Sequence, residues 1–300
     1  MDVLEDITID GKRYSYVKTR TYVPVSVYRG QDEFLRIGPK DIITKGLNLH
    51  KKLLEFNFPI PQILSEGEFD GQCYYTETSL GKSILGDVFW NDTKKSGVVS
   101  DESFQKLLVL VGKYVQAQLK TAKKEEAFES FYFRIHMEYL LEELPHLQKK
   151  IMAGFEKLKA KTNVLPTVMT HGDFNPYNIF EIGVIDFEGV FDAPAGYDIV
   201  SNAYHTFLFP KGGDFESTRR YDFSADQIDR YFALVDALYI ENNLPKLSDF
   251  SADFIFARTI WSTVRMQKLP KIQRWRYEKF EEILESYLSD NGDVIKALIK

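Results

Sequence analysis

One cysteine, Cys73, stands in 300 residues, which excludes an internal disulfide and fits a reducing compartment. Its neighbours Gln72 and Tyr74 bring no charge that would stabilise a thiolate, so it reads as a half-buried strand residue. No apolar run approaches the ~18 residues of a membrane span. The opening Met-Asp-Val-Leu-Glu-Asp is acidic where a signal peptide would be basic, so the expectation is a cytoplasmic protein with no membrane partner. Lys and Arg number 38 against 44 Asp and Glu, and the net charge of -6 disfavours nucleic acid as a partner. His50, His136, His146, His171 and His205 are scattered, with no His-x-x-x-His spacing and no Cys cluster, so the ligand pattern of a zinc hydrolase is missing. Internal repeats and low-complexity stretches are missing too. What remains is ordinary globular material, 44% hydrophobic and 14% aromatic, enough for one large domain or two modest ones.

The most informative stretch runs from Thr170 to Gly189: Thr-His-Gly-Asp-Phe-Asn-Pro-Tyr-Asn-Ile-Phe-Glu-Ile-Gly-Val-Ile-Asp-Phe-Glu-Gly. Val168 and Met169 lead in, and the apolar run Ile182 to Ile185 leads out to Asp186, which predicts a strand, a polar loop and a second strand. Phosphoryl transfer needs few protein groups but needs them close: one carboxylate to accept a hydrogen bond from the attacking hydroxyl, and one or two hard oxygen ligands for Mg²⁺ against the nucleotide phosphates. Asp173 is placed for the first task, and Asn178, five residues on, with Asp186 for the second. The protein-kinase catalytic loop has the same layout, but Gly172 stands where that loop has Arg, and Glu188 follows Asp186-Phe187 where it has Gly.

With those two differences, His171-Gly172-Asp173, Asn178 and Ile185-Asp186-Phe187-Glu188 resemble the aminoglycoside phosphotransferase and choline kinase group of small-molecule kinases. The resemblance implies an α+β, two-lobed protein kinase-like fold. Its small antiparallel-sheet N-lobe carries one main helix, and its larger C-lobe is mostly helical. It also implies passage of the γ-phosphoryl of ATP or GTP to a small-molecule hydroxyl, with Mg²⁺. Asp192-Ala-Pro-Ala-Gly-Tyr-Asp198 is similar to the group's segment ending in a buried Asp that braces the catalytic loop, which puts that role on Asp198. His171 is expected as a structural histidine of the loop.

The lobe boundary is expected near residue 82, giving a nucleotide-binding lobe over 1–82 and a helical lobe over 83–300. Tyr14 to Ile37 reads as hairpins with a turn at Arg29-Gly30-Gln31-Asp32. By the resemblance, Arg36 is the cation that holds the phosphates. The covering loop Lys18 to Ser26 has no glycine, so hydroxyls of Thr19, Thr21 and Ser26 and the cations Lys18 and Arg20 would replace a glycine-lined approach. Lys45 to Phe56 predicts a helix, but the acid that such kinases pair with the phosphate-binding cation would fall near Gly46, leaving Glu55, Asp41 or no partner for Arg36. Asp70-Gly71 predicts a hairpin over residues 63–78. Glu77, Thr78 and Ser79 resemble the hinge, whose backbone reads the base, and Gly81 lets the chain pass onward. Residues 86–100 read as a polar connection.

The remainder predicts helices over 104–119, 132–144, 148–161, 198–207, 250–266 and 272–288, and Ser224 with Gln227 forms a capping-box pattern that starts another. For the acceptor the residues point three ways. Glu188, Asp192 and Asp214 suit a polyamine; Arg258 and Arg265 with Lys211, Arg219 and Arg220 suit an anion; Tyr204, Tyr221, Trp261 and Trp275 suit a quaternary amine. A glycosidase pair, Asp173 with Glu188, leaves Asn178 without purpose. A kinase-shaped nucleotide-binding module with weak or no turnover is the alternative function, suggested by the glycine-free loop and the missing helix acid.

Overall fold

A computed structural model describes residues 6–20, 23–124, 128–211, 218–264, 269–289 and 292–299, and for Glu188 the backbone alone. Asp70 (φ 50°) and Gly71 (φ 74°) both take left-handed backbone, the pair that closes a two-residue hairpin between strands of right-handed twist. They join β5 (Ile63–Phe69) to β6 (Gln72–Thr78) in a six-stranded antiparallel sheet. The other strands are β1 (Ile7–Ile9), β2 (Lys12–Thr19), β3 (Ser26–Arg29) and β4 (Glu33–Gly38), in the order β1-β2-β3-β4-β6-β5. Side chains alternate across it. One face buries Tyr14, Tyr28, Leu35, Ile37 and Tyr74; the other buries Val25 and Tyr75 against Ile43 and Leu47 of helix α1 (Lys40–Glu55), which starts five residues before the expected Lys45.

The chain forms two compact units, Met1–Lys82 with Phe180–Glu188, and Ser83–Ile179 with Gly189–Lys300. Phe180–Glu188, expected in the second lobe, therefore packs with the first. Val184 donates its backbone N–H to the Pro59 carbonyl (2.7 Å), and the Phe187 ring meets Phe58 edge-on at 5.7 Å. The expected strand over Ile182–Ile185 does not form, because Ile182 is exposed and only Val184 makes an isolated bridge.

The second unit is mostly helical: α2 (Leu85–Ser96), α3 (Asp101–Leu119), α4 (Phe128–Arg134), α5 (Met137–Glu143) and α6 (Gln148–Thr162). A two-stranded ribbon of β7 (Thr167–Thr170) and β8 (Phe191–Pro194) follows, then α7 (Tyr197–Tyr204), α8 (Ala225–Glu241), α9 (Ser251–Thr263), α10 (Pro270–Leu288) and α11 (Val294–Ile299). Where a polar connection was expected, α2 forms, because Leu85 and Phe89 are fully buried and Gly97 (φ 84°) closes the helix in the left-handed region. The expected helix over 132–144 breaks into α4 and α5 at His136 (φ 65°). Ser224 and Gln227 form the capping box of α8. Helix α9 is buried on nearly every side, as its run Phe254-Ile-Phe-Ala requires. Among the described residues no helix is long and apolar enough to cross a membrane.

Candidate active site

In the second unit the loop after β7 is built on backbone hydrogen bonds to one buried acid. Asp198, at the start of α7 and fully buried, accepts from the N–H of His171 (2.5 Å) and of Gly172 (3.0 Å), from the Tyr114 hydroxyl (2.7 Å) and from Gln118 Nε2 (3.4 Å). Burial pushes its carboxyl up while His171, the Tyr114 hydroxyl and the N–H groups of His171 and Gly172 pull it down, and burial wins. Gly172 takes φ 81°, and a Cβ there would meet the Phe191 ring at 2.8 Å. His171 is buried, and its Nδ1 accepts from the Asp173 N–H (3.2 Å). Its ring therefore shapes the loop.

Asp173 is thereby held with 43% of its side chain exposed. Its backbone carbonyl accepts from Asn175 Nδ2 (3.1 Å) and Asn178 Nδ2 (2.9 Å), which turns the Asn178 amide nitrogen inward and leaves Oδ1 as its outward acceptor. One carboxylate oxygen, Oδ1, accepts from Arg258 Nη2 at 2.6 Å; the other, Oδ2, faces Asn178 Nδ2 at 3.5 Å. Burial would raise the Asp173 carboxyl, but Arg258, His205 and His171 together hold it below the ordinary carboxylate range. His205 is buried, and burial with the nearby Arg258 pushes its imidazole down to about 3. It is a neutral ring near neutral pH.

In the first unit Arg36 and Glu77 meet. Arg36 lies opposite Tyr75 across the β4–β6 ladder, so Glu77, two residues on, shares its face and reaches Arg36 Nε at 2.8 Å. His50 of α1 sits 3.6 Å from the other carboxylate oxygen. The acid missing at Gly46 is thus supplied by the neighbouring strand, and neither Glu55 nor Asp41 is that partner. These residues border a pocket lined by Arg36, Leu49, Tyr75, Glu77, Ile185 and Asp186. Asp186 has φ 70°, and its half-exposed carboxylate accepts from Arg20 of the glycine-free loop at 2.7 Å. The N–H groups of Thr78 and Ser79 donate to the carbonyls of Gln62 and Asp32 (2.9 Å each), so these two expected base-reading donors are engaged within the unit.

Solved structures with a similar fold include one that superposes well. A choline/ethanolamine kinase family protein from Mesorhizobium loti superposes with TM-score 0.55 at 12% identity, over 95% of this chain and 92% of that one. An aminoglycoside-3'-phosphotransferase of type VIII gives 0.45 at 12% identity, over 83% and 93%. An aminoglycoside phosphotransferase from Streptomyces rimosus, in complex with ADP and streptomycin, gives 0.41 at 14% identity, over 74% and 91%. No curated protein sequence matches the chain. The model of the phosphotransferase enzyme family matches residues 45–234, more than half of the 300. The chain belongs to that family.

Within this phosphotransferase most of the acceptor residues expected from sequence are engaged in packing or ion pairs. Tyr221 packs in the core against Phe89 and Phe223, and Tyr204 against Phe232, so the quaternary-amine box does not form. Asp192 pairs with Lys123 (2.9 Å), Arg219 with Asp87 (2.6 Å), and Lys211 and Arg220 both with Asp222. Thr21, Asp214, Arg265, Met266 and the Glu188 side chain lie outside the described residues. Sequence reasoning missed that Arg258 is the partner of Asp173; the signal was a lone cation inside the apolar run of α9, which burial obliges to find an anion. His205, Tyr114 and Gln118 carry no such local signal.

Proposed function

We propose that this phosphotransferase transfers the γ-phosphoryl of ATP or GTP to a hydroxyl of a small molecule, with Asp173 as the catalytic carboxylate. The observation that carries it is the half-exposed Asp173 carboxylate on a loop whose backbone is pinned to buried Asp198. Asn178 and Asp186 are hard oxygen donors of the kind Mg²⁺ takes, and two protein ligands suffice because the phosphates and water complete the set. Among the described residues no group of three His, Cys, Asp or Glu is gathered.

Asp173 accepts a hydrogen bond from the substrate hydroxyl, aims its oxygen at the phosphorus, and takes the proton late, as suits a carboxyl held at a low pKa. Arg36, braced by Glu77, grips the non-transferred phosphates through its planar fork. The backbone around Glu77, Thr78 and Ser79 reads the base through carbonyls. Bound Mg²⁺ would supply charge neutralisation of the phosphate oxygens.

Calorimetric titration of ATP and of GTP, with and without Mg²⁺, on wild type and Asp186→Asn tests the nucleotide half; metabolite-dependent ADP or GDP release tests the transfer. The contact of Arg20 with Asp186 favours a second reading, a nucleotide-binding module without turnover. Mg²⁺-dependent binding with no acceptor-dependent product, across alcohols of every charge, would favour that module.

A further inference from the structure

Arg258 is only 2% exposed, and it sits in the middle of α9, a helix with almost no solvent face. A guanidinium in such a place is tolerated only with hydrogen-bonded anionic partners. Its Nη1 donates to the Gly172 carbonyl at 2.8 Å and its Nη2 to Asp173 Oδ1 at 2.6 Å. The same side chain therefore grips the backbone and the carboxylate of the loop. Its carbon lies 3.7 Å from the centre of the Trp261 ring, one helical turn on, and the Tyr197 phenol lies against it. The two Nη groups thus point at the loop while the plane of the guanidinium packs on the Trp261 ring.

We propose that Arg258 is a positioning residue for phosphoryl transfer: its fork fixes the Asp173 carboxylate so that Oδ2 alone is presented to the acceptor hydroxyl. The inference rests on the reading of Asp173 given above. The Oδ1 oxygen is occupied by a short, charge-assisted bond, whereas Oδ2 accepts only a long one from Asn178 Nδ2 at 3.5 Å, which leaves it the weakly held oxygen of the pair. With Gly172 in the left-handed region, the loop depends on such external anchors for its rotamer as well as its path. A clamped carboxylate loses no orientation entropy when the hydroxyl arrives.

The test uses water in place of the unidentified acceptor. Basal hydrolysis of MgATP and of MgGTP is measured for wild type, Asp173→Asn, Arg258→Ala and Arg258→Lys, with circular dichroism to check the fold. Arg258→Ala and Asp173→Asn should each lower kcat by about a hundredfold, with nucleotide KM within about twofold of wild type. Methylguanidinium added to Arg258→Ala should restore kcat by about tenfold by refilling the fork, and should do nothing for Asp173→Asn. Arg258→Lys should stay low, because one ammonium cannot make the fork. Wild-type kcat in Arg258→Ala, or a slow Arg258→Ala that methylguanidinium cannot raise, overturns the positioning role while Asp173→Asn still reports a catalytic Asp173. A wild type inert on both nucleotides, or an Asp173→Asn as fast as wild type, overturns the Asp173 reading itself and the inference with it. If Arg258→Ala does not fold, Trp261→Leu decides: it loosens the guanidinium and should lower kcat several-fold at constant nucleotide KM, and an unchanged kcat overturns the proposal.

Discussion

Arg36 Nε lies 2.8 Å from Glu77 Oε1, a diagonal contact between adjacent strands on the sheet face that packs against α1. Both side chains are largely buried, so neither charge is relieved by water if the other is removed. Replacing Glu77 with Gln leaves a buried guanidinium with a neutral partner, and breaking such a pair costs about 3–5 kcal/mol. Denaturant unfolding of Glu77→Gln should show a loss of that order together with weaker ATP binding. An apolar pair, Arg36→Met with Glu77→Leu, should recover most of the stability but none of the nucleotide affinity. Recovery of both would show that Arg36 does not touch phosphate.

Arg20 makes the opposite kind of contact. It reaches Asp186 at 2.7 Å, but the carboxylate is half exposed, and a pair of this kind contributes at most about 1 kcal/mol. Because the contact occupies an oxygen assigned to Mg²⁺, Arg20→Ala should tighten Mg²⁺ binding by at most about fivefold, the equivalent of that energy. Mg²⁺ titrations of the nucleotide-free protein, wild type against variant, measure it. Weaker Mg²⁺ binding in Arg20→Ala would mean the arginine supports the site.

His205 sets a pH dependence of stability. Its pKa is about 3 in the folded chain, pushed down by burial and by Arg258, against an ordinary value near 6.5 when unfolded. A depressed folded pKa means that the unfolded chain binds the extra proton first. The His205 contribution is therefore fully present above about pH 6.5 and declines as pH falls toward 3. The Tm of wild type should drop between pH 7 and pH 4 more steeply than that of His205→Gln, which has nothing to titrate there. Parallel curves would remove His205 from the account.

Gly172 tests the loop itself. At φ 81° an alanine is strained by about 1–3 kcal/mol, and its Cβ would also press on the Phe191 ring. Gly172→Ala should lower the Tm and should lower nucleotide hydrolysis further than the stability loss explains, since it displaces the backbone that carries Asp173. A variant with normal turnover would show that the loop path tolerates a side chain.

What the chain revealed in advance follows the range of the interactions. The Asp70-Gly71 hairpin, the Ser224 capping box and the His171-Gly172-Asp173 loop are written within a few residues and were legible. The Arg36–Glu77 pair depends on strand register across 41 positions, and the Arg258–Asp173 pair on the docking of α9 across 85, so neither has a local signature beyond an ill-placed charge. Helix α2 was hidden because Leu85 and Phe89 supply its only fully buried large side chains, while Asn91-Asp-Thr-Lys-Lys reads as loop. The segment after Asn178 looked like a strand from its apolar letters. Its path is set instead by the Pro59 carbonyl and by Leu80, against which Gly183 packs too closely for any side chain.

Gly46 offers a check of the first unit that does not depend on any ligand. It lies in the interior of α1, exposed, at the position where related kinases were expected to hold an acid, and a Cβ added there meets no atom within 4 Å. A glycine inside a helix costs about 0.5–1 kcal/mol relative to alanine, because it has more backbone freedom to lose on folding. Since Glu77 already holds Arg36, nothing in the pair calls for a side chain at this position. Gly46→Ala should therefore raise the free energy of unfolding by about that amount, leaving ATP affinity as in wild type. A gain in stability with a loss of affinity would mean that the bare backbone at Gly46, which lines the pocket together with Arg36 and Leu49, is there for the nucleotide's approach.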